Sequence, residues 1–411
     1  MTSRQTGPLR RTLTFLSRAW NISGILALLL GIVFLSWRIP TERAEMREFW
    51  TRVQLSDGPH VFWLDGGRAR VVNSKPDREG QRFHISEETY SSVRPESLPP
   101  EIRPLLSLTP PTPQDNPSEL PWPEAPVAAL SDIHGQYLHF RELLTRAGIT
   151  NPSGDWSFGR GHLVILGDVF DKGPGVTDAL WLIRRLEVQA RSQGGGVHYL
   201  LGNHDLLAIT GASKAVYYKY VLIAREAGIP YQHFYSRDSE LGRWLRTRNT
   251  VLKIGDRLFV HGGLSHEFLK MNLTLTETNR LAQLSLDPDR LALANQPERR
   301  LAGLLSGGQG PLWWRGYFDS SIPIGFIRRV NGRLGETTTG REALETALSR
   351  YGVRQVIVGH TYTREVREMY GGKLIALCLN WGGADLPESR LPSGLAIFDA
   401  NGKAKIVNFR D

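Results

Sequence analysis

The chain has 411 residues, 41% of them hydrophobic and 22% charged, with a formal net charge of +9. That length exceeds one ordinary domain and predicts one large catalytic domain with appendages. The positive balance suits nucleic acid, an anionic membrane surface or phosphorylated ligands alike. With no arginine or lysine runs, no zinc-finger spacing and no aromatic-basic interleaving, a nucleic-acid partner is not expected.

In chain order, residues 1–19 form a tail whose only charges are Arg4, Arg10, Arg11 and Arg18. Residues 20–37 (WNISGILALLLGIVFLSW) are uncharged, begin and end on tryptophan, and are long enough to cross a bilayer as a helix. The next residues, Arg38-Ile39-Pro40-Thr41-Glu42, offer no small-residue cleavage site, so the expectation is an uncleaved single-pass anchor. Arginines flank it on both sides; the wholly basic tail favours an inside N-terminus and a catalytic domain on the outer, periplasmic side.

Residues 38–94 read as a juxtamembrane helix, Glu42 to Val53, followed by a small β accessory. There, Val61 to Leu64 and Ala69 to Val72 flank Asp65-Gly66-Gly67-Arg68, the pattern of a hairpin. Across 95–125 proline recurs every few residues (PESLPP, TPPTPQDNP, ELPWPEAP), which removes backbone donors and predicts a semi-rigid extended spacer. Residues 126–411 are then the catalytic domain, expected to be α/β. The only cysteine, Cys378, lies in the apolar run Leu374 to Leu379; it excludes an intrachain disulfide and reads as a small buried hydrophobe.

Within 126–411 one arrangement returns five times: a short apolar run, then a tight loop carrying Asp, Asn or His. Val127 to Leu130 precede Ser131-Asp132-Ile133-His134-Gly135, and His162 to Leu166 precede Gly167-Asp168-Val169-Phe170-Asp171-Lys172-Gly173. Val197 to Leu201 precede Gly202-Asn203-His204-Asp205, Arg257 to Val260 precede His261-Gly262-Gly263, and Gln355 to Val358 precede Gly359-His360-Thr361. Strands that end this way deliver side chains to a common edge. Asp132 and His134, two apart in extended chain, leave on one face and can grip one ion. Asp168 has two carboxylate oxygens and can bridge to a second ion, completed by Asn203, His261 and His360. Mixed oxygen and imidazole donors without thiolates suit two divalent transition metals, manganese first, with iron or zinc as alternatives. Such a pair clamps a phosphoryl group and activates water. His204, next to Asn203 and oriented by Asp171, is the candidate general acid. Lys172, Arg315 and Asn203 are the candidates to hold the phosphate. Arg315 follows Trp313-Trp314, a pairing that suggests a lip over a cleft.

At these residues the chain resembles the calcineurin-like metallophosphoesterase superfamily, and SDIHGQY, GDVFDKG, LGNHD, HGGLS and VGHT resemble its phosphoprotein phosphatase branch. The stretch Leu241 to Gly263 and PLWWRGY are most similar to the Shewanella-like protein phosphatases. The resemblance covers about Pro126 to Phe398. It implies a central β-sandwich flanked by helices, Asp132, His134 and Asp168 on one metal, and Asp168, Asn203, His261 and His360 on the other. It also implies His204 with Asp171 as the acid pair, and a phosphate contact at Lys172 where the family has arginine; lysine keeps the charge and loses the bidentate fork. The expected activity is phosphomonoester hydrolysis on a phosphoprotein, with phosphotyrosine among the candidate substrates. A dinucleoside-polyphosphate hydrolase and a membrane-tethered, non-catalytic binding protein stay open as alternatives.

Overall fold

A computed structural model describes residues 56–76, 83–90, 100, 102–106, 111–319, 334–378 and 393–409. The basic tail, the anchor expected at 20–37 and the juxtamembrane helix lie outside the described residues. Among those that are described, no helix is long and apolar enough to cross a membrane.

Fourteen strands are described: β1 (Asp57–Trp63), β2 (Ala69–Pro76), β3 (Phe83–Tyr90), β4 (Glu119–Leu120), β5 (Val127–Leu130), β6 (His162–Leu166), β7 (Gly196–Leu200), β8 (Val251–Ile254), β9 (Arg257–Val260), β10 (Gln355–Val358), β11 (Arg367–Met369), β12 (Leu374–Ala376), β13 (Ser393–Phe398) and β14 (Ala404–Phe409). The helices are α1 (Tyr137–Arg146), α2 (Val176–Ser192), α3 (Asn203–Thr210), α4 (Tyr218–Ala227), α5 (Glu240–Leu245), α6 (His266–Lys270), α7 (Leu275–Ser285), α8 (Pro288–Leu293), α9 (Gln296–Ser306) and α10 (Thr338–Tyr351).

Two sheets form the body, one ordered β14-β13-β5-β6-β7 and the other β11-β12-β10-β9-β8-β4. Side chains alternate between faces along a strand, so a sheet covered on both sides must be apolar at every position. The second sheet does this: Leu252, Ile254, Phe259, Ile357 and Ile375 join the core shared with the first sheet. Their neighbours Val251, Leu258, Val260, Val356 and Val358 join a second core with residues of α6, α7, α9 and α10. Phe259 of β9 meets Phe398 of β13 edge to face, ring centroids 6.4 Å apart, which ties the sheets directly. Helix α2 packs on β7. The result is a helix-flanked sandwich. Strands β5, β6 and β7 run parallel, as do β9, β10 and β12, so within each sheet the loops leaving their carboxyl ends lie side by side.

The hairpin is present, β1 pairing antiparallel with β2, but β3 adds a third strand and the unit is not a free accessory. The Trp63 backbone N–H donates to Asp238 O at 2.7 Å and its indole to Glu240 at 2.8 Å. Asp57, buried, accepts from Thr177 Oγ1 at 3.1 Å and stands 3.1 Å from Lys219 Nζ, itself 1% exposed. The spacer reading also needs correction along its described length. Ile102, Leu105 and Leu106 are buried in the main core, β4 pairs parallel with β8, and Asn249 Nδ2 donates to Asn116 O and Pro117 O. Prolines do not keep a segment off the body when its apolar residues have a core to fill.

Burial alone would raise the Asp57 pKa, but Lys219 and His60 together outweigh it and hold the carboxyl below its ordinary value. Its contribution to stability is therefore complete above the unfolded carboxylate pKa and is lost as pH falls through the lowered one. Lys219→Met leaves that carboxylate buried with only His60 and Thr177 as partners, and we expect a loss of about 3–5 kcal/mol in urea unfolding near neutral pH. A loss below about 1 kcal/mol would show that this pair does not fasten the hairpin.

Candidate metal centre

The loops that carry the donors are backbone-strained. Asp132 (φ 58°), His134 (49°), Asp168 (55°), Asp171 (69°), Lys172 (62°) and His360 (60°) are all left-handed. For non-glycine residues this costs about 1–3 kcal/mol each, so the surroundings must enforce it. Asp205, on the first turn of α3, does much of that. Its carboxylate accepts from Gly202 N (2.7 Å), Asp168 N (2.9 Å), Val169 N (3.0 Å) and Phe170 N (3.3 Å). The Asp132 loop hangs on the same segment, with Asp132 N donating to Gly167 O at 3.1 Å and His134 N to Asp168 O at 2.8 Å. Close backbone approach sets two glycines: a Cβ on Gly202 would lie 2.2 Å from Asp168 Oδ1, and one on Gly359 would lie 1.9 Å from Ser131 Oγ.

The candidate metal, acid and phosphate-contact residues come to one place. Asp168 Oδ1 is 3.3 Å from His261 Nε2, and Asp168 Oδ2 is 3.7 Å from His134 Nε2. His134 Nε2 stands 3.8 Å from Asp132 Oδ1, and His261 Nε2 is 3.0 Å from Asn203 Oδ1. Asp132 Oδ2 accepts from His360 N at 3.0 Å. Two groups of donor atoms, His134/Asp168/His204 and Asp168/His261/His360, each lie within 4.8 Å of one another and share Asp168. Ligands 2.0–2.2 Å from a common ion stand about 3–3.5 Å apart, so this spacing and a set of carboxylate, amide and imidazole donors fit a pair of divalent cations.

Carbonyls fix the rings, because a carbonyl can only accept. His134 Nδ1 donates to Phe170 O at 2.9 Å and His261 Nδ1 to Leu166 O, which turns each Nε2 lone pair inward. His360 is reversed, Nε2 donating to Trp313 O at 3.0 Å, so Nδ1 faces the cluster. Burial first, and then Lys172, pushes His134 down to about 4. Burial also opposes charge on His261, but Asp168 outweighs it and pushes that pKa up to about 9.

Within the first group, His204 Nδ1 donates to Asp171 Oδ2 at 2.6 Å, an oxygen that also accepts from Ser213 Oγ at 2.6 Å. Burial disfavours the charged ring, yet the Asp171 hydrogen bond and the Asp168 charge together prevail and the His204 pKa is raised. The His204 side chain is 19% exposed against 0% for Asp171, so the imidazole can reach a bound molecule. Lys172 Nζ donates to His134 Nε2 at 2.6 Å, and Arg315 Nη1 to His360 O at 2.7 Å. The tryptophan pair does not form a two-ring lip: Trp313 stacks edge-on against His360 at 5.9 Å, whereas Trp314 is buried against Tyr317 in the second core. Cys378 sits just past β12, where burial and then Asp132 hold its thiol well above the usual range, hence neutral.

Sequence reasoning assigned no role to Asp205 or Ser213. An acid three residues after a helix cap was the signal for Asp205; Ser213 had none. We expect Gly202→Ala to leave the fold cooperative but displace Asp168, so that metal content measured by atomic absorption falls at least tenfold. Retention of wild-type metal content would refute the close-approach argument.

Residues 125–364 match the calcineurin-like phosphoesterase family. The chain is 24% identical over 278 residues to Shewanella-like protein phosphatase 2 of Arabidopsis thaliana, and 28% identical over 249 residues to an uncharacterized protein of Schizosaccharomyces pombe. In both cases 57% of this chain is covered, and the match spans 66% of the relative's length. The structure resembles a cold-active protein-tyrosine phosphatase of a psychrophilic Shewanella species, with a TM-score of 0.67 and 29% identity, over 85% of this chain and 99% of that one. With the match extending over more than half of its residues and five of its strands ending in the donor loops, the chain belongs to the calcineurin-like phosphoesterases, hydrolases that use divalent metals.

Proposed function

We propose that the protein is a two-metal phosphomonoesterase acting on phosphoprotein, phosphotyrosine included. The observation that carries this is the position of Asp168 in both donor groups, one of which also includes the Asp171-backed His204. The likeness to a protein-tyrosine phosphatase supports the substrate class. In this reading Asp132, His134 and Asp168 hold one cation, and Asp168, Asn203, His261 and His360 the other. When bound, manganese, iron or zinc supplies Lewis acidity, neutralising phosphoryl oxygens and making water a better nucleophile.

The chain's own groups do the rest. His204 keeps its proton because Asp171 accepts from Nδ1, and it gives a proton to the leaving oxygen from Nε2. Lys172 and Arg315 flank the cluster and neutralise phosphate oxygens, Arg315 with a fork and Lys172 as a point charge. Asn203 orients the phosphate from the metal edge. Phosphotyrosine and phosphoserine peptides and dinucleoside tetraphosphate, assayed with manganese, test the assignment. Hydrolysis of the peptides is expected, and activity confined to the nucleotide would overturn it. Asp168→Asn should remove metal and turnover together, whereas His204→Ala should keep metal and lose about 10²–10⁴ in kcat. Wild-type turnover in His204→Ala would refute the acid role.

The reading includes a membrane anchor at 20–37 with the catalytic domain on the periplasmic side, supported by the apolar run and its tryptophan ends. The full chain should sediment with membranes after an alkaline wash and a chain starting at residue 41 should not. A full chain that stays in the supernatant would remove the anchor.

A further inference from the structure

Five arginines, Arg237, Arg243, Arg246, Arg280 and Arg290, line a cavity of about 480 Å³ to which no residue of the metal centre contributes. Arg237 precedes α5, Arg243 lies on it and Arg246 caps its end; α7 and α8 supply Arg280 and Arg290. Arg243 and Arg246 belong to the stretch Leu241 to Gly263, whose arginines have no part in the hydrolytic site.

The charge is only partly compensated. Arg237 pairs with Asp287, and Arg280 with Glu298 at 2.7 Å. Asp238, Glu240 and Asp289 lie near enough to be felt. Among the described residues, however, Arg243, Arg246 and Arg290 have no carboxylate in ion-pair contact. Arg246 Nη1 donates to Tyr235 O and to Gly242 O at 3.0 Å, while its Nε is buried with no acceptor. Arg243 Nη1 is buried and unpaired in the same way. Burial, and then Arg237, pushes the Arg246 pKa down to about 10.

Five arginines around one cavity, only two of them in ion pairs with carboxylates, make it electropositive and favourable for an anion. Phosphate oxygens match the guanidinium fork, and the volume is that of a small-molecule site. Three arginines without a paired carboxylate carry more positive charge than one phosphate dianion balances. Adjoining phosphates can reach them across the cavity, with Pro113 and Leu284 as apolar wall. We propose that this cavity binds a small ligand carrying two or more contiguous phosphate groups, at a site distinct from the metal centre. The proposal does not depend on the substrate assigned above.

Isothermal titration calorimetry of the full chain, with pyrophosphate, ATP and orthophosphate as probes, tests it. Wild type, Arg246→Gln and the double variant Arg280→Gln/Arg290→Gln are compared, each also in an Asp168→Asn background so that the metal centre adds no phosphate site. Pyrophosphate or ATP should bind at least tenfold more tightly than orthophosphate and survive Asp168→Asn. The double variant should weaken that binding at least tenfold while kcat/KM for p-nitrophenyl phosphate stays unchanged. Arg280 and Arg290 are exposed, so the double variant remains informative if Arg246→Gln fails to fold. Equal affinity for pyrophosphate and ATP would assign recognition to the phosphate chain, and tighter ATP binding would add the nucleoside. Equal binding by wild type and the double variant, no preference over orthophosphate, or complete loss in Asp168→Asn would each overturn the proposal.

Discussion

Everything at the centre depends on one carboxylate being held where two sets of donors can share it. Asp168 sits on a left-handed residue, a conformation its own backbone disfavours, and three successive N–H groups of its loop are fixed by Asp205. That arrangement stacks one buried acid behind another. Burial, and then Asp168, pushes Asp205 up to about 6, which marks how much electrostatic cost the loop geometry carries. His261, 3.3 Å from Asp168, offsets part of it. The residues that define the site are thus also among the least comfortable in the fold, as expected where function rather than stability decides the backbone.

The two sheets contribute unequally. Asp132, His134, Asp168 and Asn203 follow strands of the five-stranded sheet, whereas His261 and His360 follow β9 and β10 of the other. Packing across the sandwich, through contacts such as Phe259 on Phe398, therefore sets the distance between the halves of the donor set. A core change that shifts one sheet against the other moves donor atoms even when no loop residue is altered.

Much of this was legible in the sequence. Val127 to Leu130, His162 to Leu166, Arg257 to Val260 and Gln355 to Val358 coincide with β5, β6, β9 and β10, because strands buried on both faces read as unbroken apolar runs. The run at Val197 to Leu201 differs from β7 by one residue. Other elements left little trace. Strand β3 mixes apolar with charged residues and is largely exposed, and β4 is two residues long amid prolines. The docking of β1 rests on partners such as Trp63 and Glu240, 177 residues apart, a pairing that no local pattern encodes. The split of Trp313 from Trp314 was equally hidden, since adjacent residues in a tight turn part company according to which core each can reach.

Strand β4 has a role beyond closing a gap. The β8 edge of the six-stranded sheet, largely buried, would otherwise present an open row of amides and carbonyls, the kind of template on which a second molecule can polymerise. Glu119 and Leu120 occupy that row, and the prolines around them lack the hydrogens needed to extend it outward. The proline-rich stretch thereby insulates the sheet against aggregation, a protective duty that its composition alone would not have suggested.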